Sequence, residues 1–151
     1  MRKMLTVLSV VFLLASGSAS AKALPDENAA KDLSTKIMVK AAAGDLKAAL
    51  EMIKPYTFIS SEEIDAIIVQ VKDSREKLGQ RNGKPIGYEF IESRKIGSSL
   101  LRFRYLEKNE KHVFLWEFYF YNTKEGWILD SFNWSDVYKP LFEGFNKPDV
   151  L

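Results

Sequence analysis

One histidine, no cysteine and a scatter of carboxylates are what this chain offers for chemistry. His112 adjoins the polar run Asn109–Lys111, so it reads as a solvated hairpin residue rather than a base, and alone it cannot build a histidine metal cluster. Without cysteine there is no thiolate nucleophile, thiolate metal site or disulfide. Asp130 lies amid Trp127, Ile128, Leu129 and Phe132, and Tyr105 in a second apolar stretch offers a hydroxyl. These two are the candidates for acid–base work, which requires titratable groups inside an apolar cavity. Glu89 and Glu92, three apart in a strand-like run, fall on opposite faces and form no paired carboxylate. The chain holds no glycine-rich phosphate loop, G-x-S-x-G elbow or calcium-loop spacing. Neither a metal nor a cofactor is implied.

The elements that must position these residues divide the chain by composition. Residues 22–79 are rich in alanine, lysine and glutamate, whereas sixteen of nineteen aromatics lie between Tyr88 and Phe145. Helices followed by strands is an α+β order, not the alternation of a parallel sheet. Leu33, Ile37, Met38 and Ala41 make one stripe at helical spacing. That first helix starts near Asp26 and closes at Gly44, and Asp45 caps a short second helix that Pro55 ends. Ser60 and Glu63 form a capping box for a third helix, whose Ile64, Ile67, Ile68, Val71 and Leu78 face one way up to Gly79. Residues 80–84 read as a loop.

Four strands are expected at 86–94, 98–107, 111–122 and 126–135, with turns at Gly97, Asn109 and Gly126. Their short connections demand an antiparallel meander. A tight turn at Asn109-Glu110 would pair Leu101 with Phe118, Phe103 with Trp116 and Arg102 with Glu117. One face is then almost wholly aromatic and must lie against the helices. The other carries Arg102, Leu115, Glu117, Tyr119 and Tyr121, less polar than an open sheet face usually is. It is either partly covered by the tail, residues 137–151, or a protein–protein surface that pairs two copies. The last strand admits two registers: one turns Ile128, Asp130, Phe132 and Trp134 to the core, the other Trp127, Leu129, Ser131 and Asn133.

The chain's first stretch is unlike the rest of its 151 residues. Arg2 and Lys3 precede an apolar run from Met4 to Ala15, and Ala19-Ser20-Ala21 fits a small-residue cleavage site. Residues 1–21 therefore read as a signal peptide, with periplasm or secretion as the destination. The run is too short for a bilayer span, which takes roughly 20 apolar residues. Removing it lowers the 22 basic residues to the level of the 20 acidic ones. A neutral chain gives no support to nucleic-acid or anionic-membrane binding.

Three helices followed by a bent antiparallel sheet resemble the nuclear transport factor 2-like superfamily, the cystatin-like cone. Ala43-Gly44-Asp45-Leu46 is similar to the link between that superfamily's first two helices, and Gly126-Trp127-Ile128-Leu129 with Phe132 to its closing strand. The resemblance covers residues 26–136, within one domain at 22–136, and specifies fold rather than activity. It implies a conical cavity between helices and sheet, and members of the superfamily include enzymes, ligand-binding modules and domains that serve only as dimerisation units. The expected function is a non-catalytic small-ligand-binding or protein-interaction module, with any small apolar ligand held among Phe103, Tyr105, Trp116, Phe118 and Asp130. The alternatives are a cofactor-free isomerase, dehydratase or hydrolase using Asp130 with Tyr105, and a homodimerisation domain.

Overall fold

The computed structural model describes residues 20–144. Most of the candidate leader (residues 1–19) and the end of the tail, with Phe145 and Pro148, lie outside the described residues. Three helices come first: α1 (Glu27–Ala42), α2 (Leu46–Glu51) and α3 (Ser61–Asn82). Four strands follow, β1 (Pro85–Ile96), β2 (Leu100–Asn109), β3 (Val113–Thr123) and β4 (Gly126–Ser135), then a short helix α4 (Pro140–Gly144). The sheet is one antiparallel meander in the order β1-β2-β3-β4, so the α+β architecture is the expected one.

Local chemistry accounts for the helix ends. The side chains of Asp26 and Asp45 accept from the backbone N–H of Ala29 and Ala48, and Ser60 with Glu63 completes the capping box. The third helix does not stop at Gly79. It runs on to Asn82, and Gly83 follows with φ 76° and ψ −171°, an extended positive-φ backbone open essentially to glycine alone. Gly79 can stay helical because nothing at that position demands a positive φ.

The core forms where the apolar stripe of α1 meets the aromatic face of the sheet. Ile37, Met38 and Ala41 pack with Leu101, Phe103, Tyr105, Trp116, Phe118 and Phe120 in one buried cluster. Along β2 the buried residues alternate as the period of two requires, whereas in β3 Phe114 to Phe118 are all buried, so Leu115 and Glu117 on the outer face are covered too. The first helix packs closely on β1, β2 and β4, and α2 on α1 and α3. The backbone of α3 approaches the sheet less closely.

Three details of the sheet differ from the expectation. Register between β2 and β3 is displaced by two residues: Leu101 faces Phe120, Phe103 faces Phe118, Arg102 faces Tyr119, and Arg104 faces Glu117. A shift of two leaves every side chain on its own face, so the aromatic pattern could not detect it. The turn is set instead by a distant contact. Glu110 N–H donates to the Lys84 carbonyl and Lys111 N–H to the Asn82 carbonyl, both at 3.0 Å, which moves the reversal to Glu110-Lys111.

The second difference is a bulge at Asp130, where Tyr119 faces Ser131 but Phe120 faces Leu129. Neither single register of β4 holds. Trp127 and Leu129 point to the core before the bulge, and Phe132 and Trp134 pack against it afterwards. A further bulge at Ile91 puts Glu89 opposite Leu106 and Glu92 opposite Arg104, so both glutamates stand on the outer face. In the tail, Pro140–Gly144 is helical, with Leu141 buried and Phe142 exposed.

Candidate functional site

Asp130 and Tyr105 do not meet. The bulge leaves Asp130 exposed on the outer side, lining a groove of about 280 Å³ with Arg94, Ile96, Leu100 and Arg102. Tyr105 is wholly buried on the inner face, where its hydroxyl lies 2.9 Å from Thr35 Oγ1 and its ring meets Phe118 edge-on at 5.9 Å. The proposed acid–base pair is thus divided by the sheet itself.

The expected apolar pocket is likewise filled by its own lining. Phe103, Tyr105, Trp116 and Phe118 are all buried; Trp116 stacks on Phe118 at 6.0 Å, and Phe103 meets Phe120 at 5.8 Å. None of the four lines the clefts described here. His112 sits in the β2–β3 connection, with Nε2 3.1 Å from the Asp136 carbonyl oxygen.

Burial also raises the pKa of the Tyr105 hydroxyl, against the smaller lowering effect of its contact with Thr35. A raised value in the folded state means that this contribution to stability is complete below about pH 10, the unfolded tyrosine value. It is lost as pH climbs from there through the folded value, with a limiting slope of about 1.4 kcal/mol per pH unit. Tyr105→Phe is expected to flatten that alkaline limb. Urea midpoints of both proteins between pH 9 and 12 would check this, and parallel limbs would assign the loss to other groups.

On the outer face, Leu115 and Glu117 are buried within the single chain and cannot serve as open surface. Arg104 donates to Glu117 at 2.7 Å and to Glu92 at 2.9 Å, and Arg102 donates to Glu92 at 2.7 Å. Arg102 and Tyr119 are partly covered, and Tyr121 is exposed. Burial, followed by the Glu117 charge, raises the Tyr119 pKa.

A different cluster forms where α3 faces the end of β2. Arg75 and Asn82 are seven apart and so share one side of the helix, while Glu107 and Asn109 are two apart and share the inner face of the strand. Because α3 stands off the sheet, the long Arg75 side chain bridges the interval. Its Nη2 donates to Glu107 Oε1, and the guanidinium lies 4.1 Å from the centre of the Phe114 ring. Glu107 is completely buried, and its second oxygen accepts from Trp116 Nε1 at 2.9 Å. This carboxylate could have been found from sequence: it is the next inward position after Leu101, Phe103 and Tyr105.

Beside this pair opens a cleft of about 810 Å³, bounded by Ala41, Leu46, Gly79, Asn82, Asn109 and Phe114 together with Arg75. Gly83 closes its floor against the β2–β3 turn, so tightly that an added Cβ would stand 2.7 Å from Glu110 Cβ. Asn82 and Asn109 are almost entirely buried. Among the described residues, Arg75 Nη1, Asn82 Nδ2, Asn109 Nδ2 and Arg102 Nε are buried side-chain nitrogens without a partner in the protein. The first three belong to residues that line the cleft, and each of these nitrogens is itself closed off from solvent. Among the described residues no group of three metal-binding side chains converges, and no helix is long and apolar enough to cross a membrane.

In backbone course the chain is similar to a crystal structure from Campylobacter jejuni described as an NTF2-like transpeptidase. The TM-score is 0.45, with 16% sequence identity over 68% of this chain and 97% of that one. A likeness at that level says nothing about activity. No family model and no curated protein matches the chain.

Proposed function

We propose that this chain is a secreted, non-catalytic domain that binds a small ligand in the cleft between α3 and the end of β2. One observation supports the reading: a cleft of about 810 Å³ opens beside the buried Arg75–Glu107 pair, with Ala41, Leu46 and Phe114 as its apolar wall and Arg75, Asn82 and Asn109 as its polar one. The catalytic alternative loses its support, since the acid and the hydroxyl that would carry it lie on opposite faces of the sheet.

The test is native mass spectrometry of protein purified gently from its native extract, beside a denatured control and a Gly79→Leu variant. Gly79 lies on the cleft wall inside α3, and an added Cβ meets nothing within 4 Å. Leucine there should occupy the opening while stabilising the helix by about 0.5–1 kcal/mol. The expected outcome is an extra mass on the native protein that denaturation releases and Gly79→Leu lacks. A bare native protein, or the same mass on both, would reject the cleft as the binding site.

A further inference from the structure

We propose that the free edge of β4 is a second binding site, separate from the cleft beside Arg75, and that it takes an extended, uncharged peptide segment of a partner protein as a fifth strand. β4 ends the strand order β1-β2-β3-β4, so one side of its backbone has no neighbour within the sheet. The chain itself begins a pairing on that side. Leu24 and Trp127 form an antiparallel bridge, each donating its N–H to the other's carbonyl, at 2.7 and 2.8 Å. The bridge extends no further, because the Lys22 N–H turns away to the Pro55 carbonyl at 2.7 Å. Among the described residues, no second bridge continues it beyond the bulge at Asp130.

The two edges of the sheet are guarded differently. β1 carries Pro85, two register shifts and the charges of Glu89, Glu92, Arg94 and Lys95, the usual obstacles to pairing with a foreign strand. The run Ser131–Ser135 of β4 has no charge, no proline and no register shift.

A groove of about 290 Å³ lies between this run and α3, and its borders select the ligand. From α3 come Ile67, Gln70, Val71 and Ser74, whose spacing of three and four sets them on one side of the helix. From β4 come Ser131 to Trp134. Phe132 and Trp134 pack against the core, whereas Asn133 donates to Glu117 at 3.5 Å on the outer face and Ser131 also borders the outer groove. The polar side chains of the strand thus turn outward, and its polar offering along the groove is the backbone. Peptide groups repeating at about 3.3 Å per residue match a second extended backbone better than a compact ligand. No residue bordering the groove is charged, although 28% of the chain is. Arg75 reaches the Trp134 ring but is engaged by Glu107. An ionised side chain would lose water here without gaining a partner, so the segment is uncharged, with an apolar side chain against Ile59, Ile67 and Val71.

The experiment follows the backbone amide signals of the whole protein by NMR while capped pentapeptides are added to roughly 1 mM. The probes are acetyl-Thr-Val-Thr-Val-Thr-amide, two versions of it with one or the other alternate set of nitrogens methylated, and acetyl-Thr-Glu-Thr-Lys-Thr-amide. The first is expected to shift Ser131 to Trp134 saturably. Methylating one set should weaken binding at least about tenfold and methylating the other should not, because a strand directs alternate N–H groups to opposite sides. The charged peptide should also be at least about tenfold weaker. Gln70 is exposed, and Gln70→Trp should cover the groove and abolish the shifts, whereas Gly79→Leu, in the other cleft, should leave them unchanged.

Amides of Ser131 to Trp134 unmoved by every probe would overturn the proposal, and so would equal effects of the two methylated sets or equal binding of the charged peptide. Shifts of the same amides with protein concentration alone would make a second copy of the chain the occupant and reject the partner peptide. Shifts lost in Gly79→Leu but kept in Gln70→Trp would place the peptide in the cleft beside Arg75, rejecting the edge while leaving that cleft a binding site.

Discussion

Replacing Arg75 with alanine is expected to destabilise the fold by about 3–5 kcal/mol, the usual result of stranding one member of a buried ion pair. Glu107 is fully buried and Arg75 is 15% exposed by its side chain. With the guanidinium gone, the carboxylate keeps the Trp116 N–H as a partner but no opposing charge. The reverse change, Glu107→Leu, leaves a guanidinium over Phe114 without its anion and the Trp116 N–H without an acceptor. Each single loss is therefore large.

Their combination should be smaller than their sum, because replacing both members of a buried pair by apolar residues removes the uncompensated charge. Arg75→Met with Glu107→Leu is expected to recover most of the loss, keeping a cost of about 1–3 kcal/mol for the unpaired indole N–H. Urea unfolding of the two single variants and the double variant measures this directly. An Arg75→Ala cost below about 1 kcal/mol would show that the pair does not bridge α3 to the sheet in solution, and the cleft beside it would lose its wall.

What the sequence could and could not convey follows from the range of the interactions involved. Capping by Asp26, Asp45 and Ser60 is decided within three residues, and the apolar stripes by spacing within one element, so the helices and the inward face of β2 and β3 were legible. The β2–β3 register was not, since it depends on Glu110 and Lys111 meeting the carbonyls of Lys84 and Asn82, more than twenty residues away. Bulges are worse: one inserted residue at Asp130 moved a candidate catalytic acid to the outer surface and returned Phe132 and Trp134 to the core. The cleft was half legible. Glu107 sits at an inward strand position, a visible anomaly, but nothing local tells that Arg75 from α3 will reach it.

The inner aromatic face carries the second large expectation. Phe118→Ala is expected to cost about 3–5 kcal/mol, because Phe118 is fully buried between Trp116 and Tyr105 and its loss removes apolar contact and leaves a void. The same variant tests where an apolar ligand can sit. Rings at centroid distances of 5.8–6.0 Å leave the native interior no room for one, so a small apolar guest needs space to be made for it. Benzene should raise the melting temperature of Phe118→Ala and leave that of the native protein unchanged, since a dry cavity lined by apolar side chains takes up such a guest. Benzene stabilising the native protein as well would show that the sheet already encloses unfilled volume. The ligand site would then move from the polar cleft beside Arg75 to the aromatic interior. If the native protein stays indifferent, the interior acts as scaffold, and recognition belongs to the edge where α3 stands away from the strands.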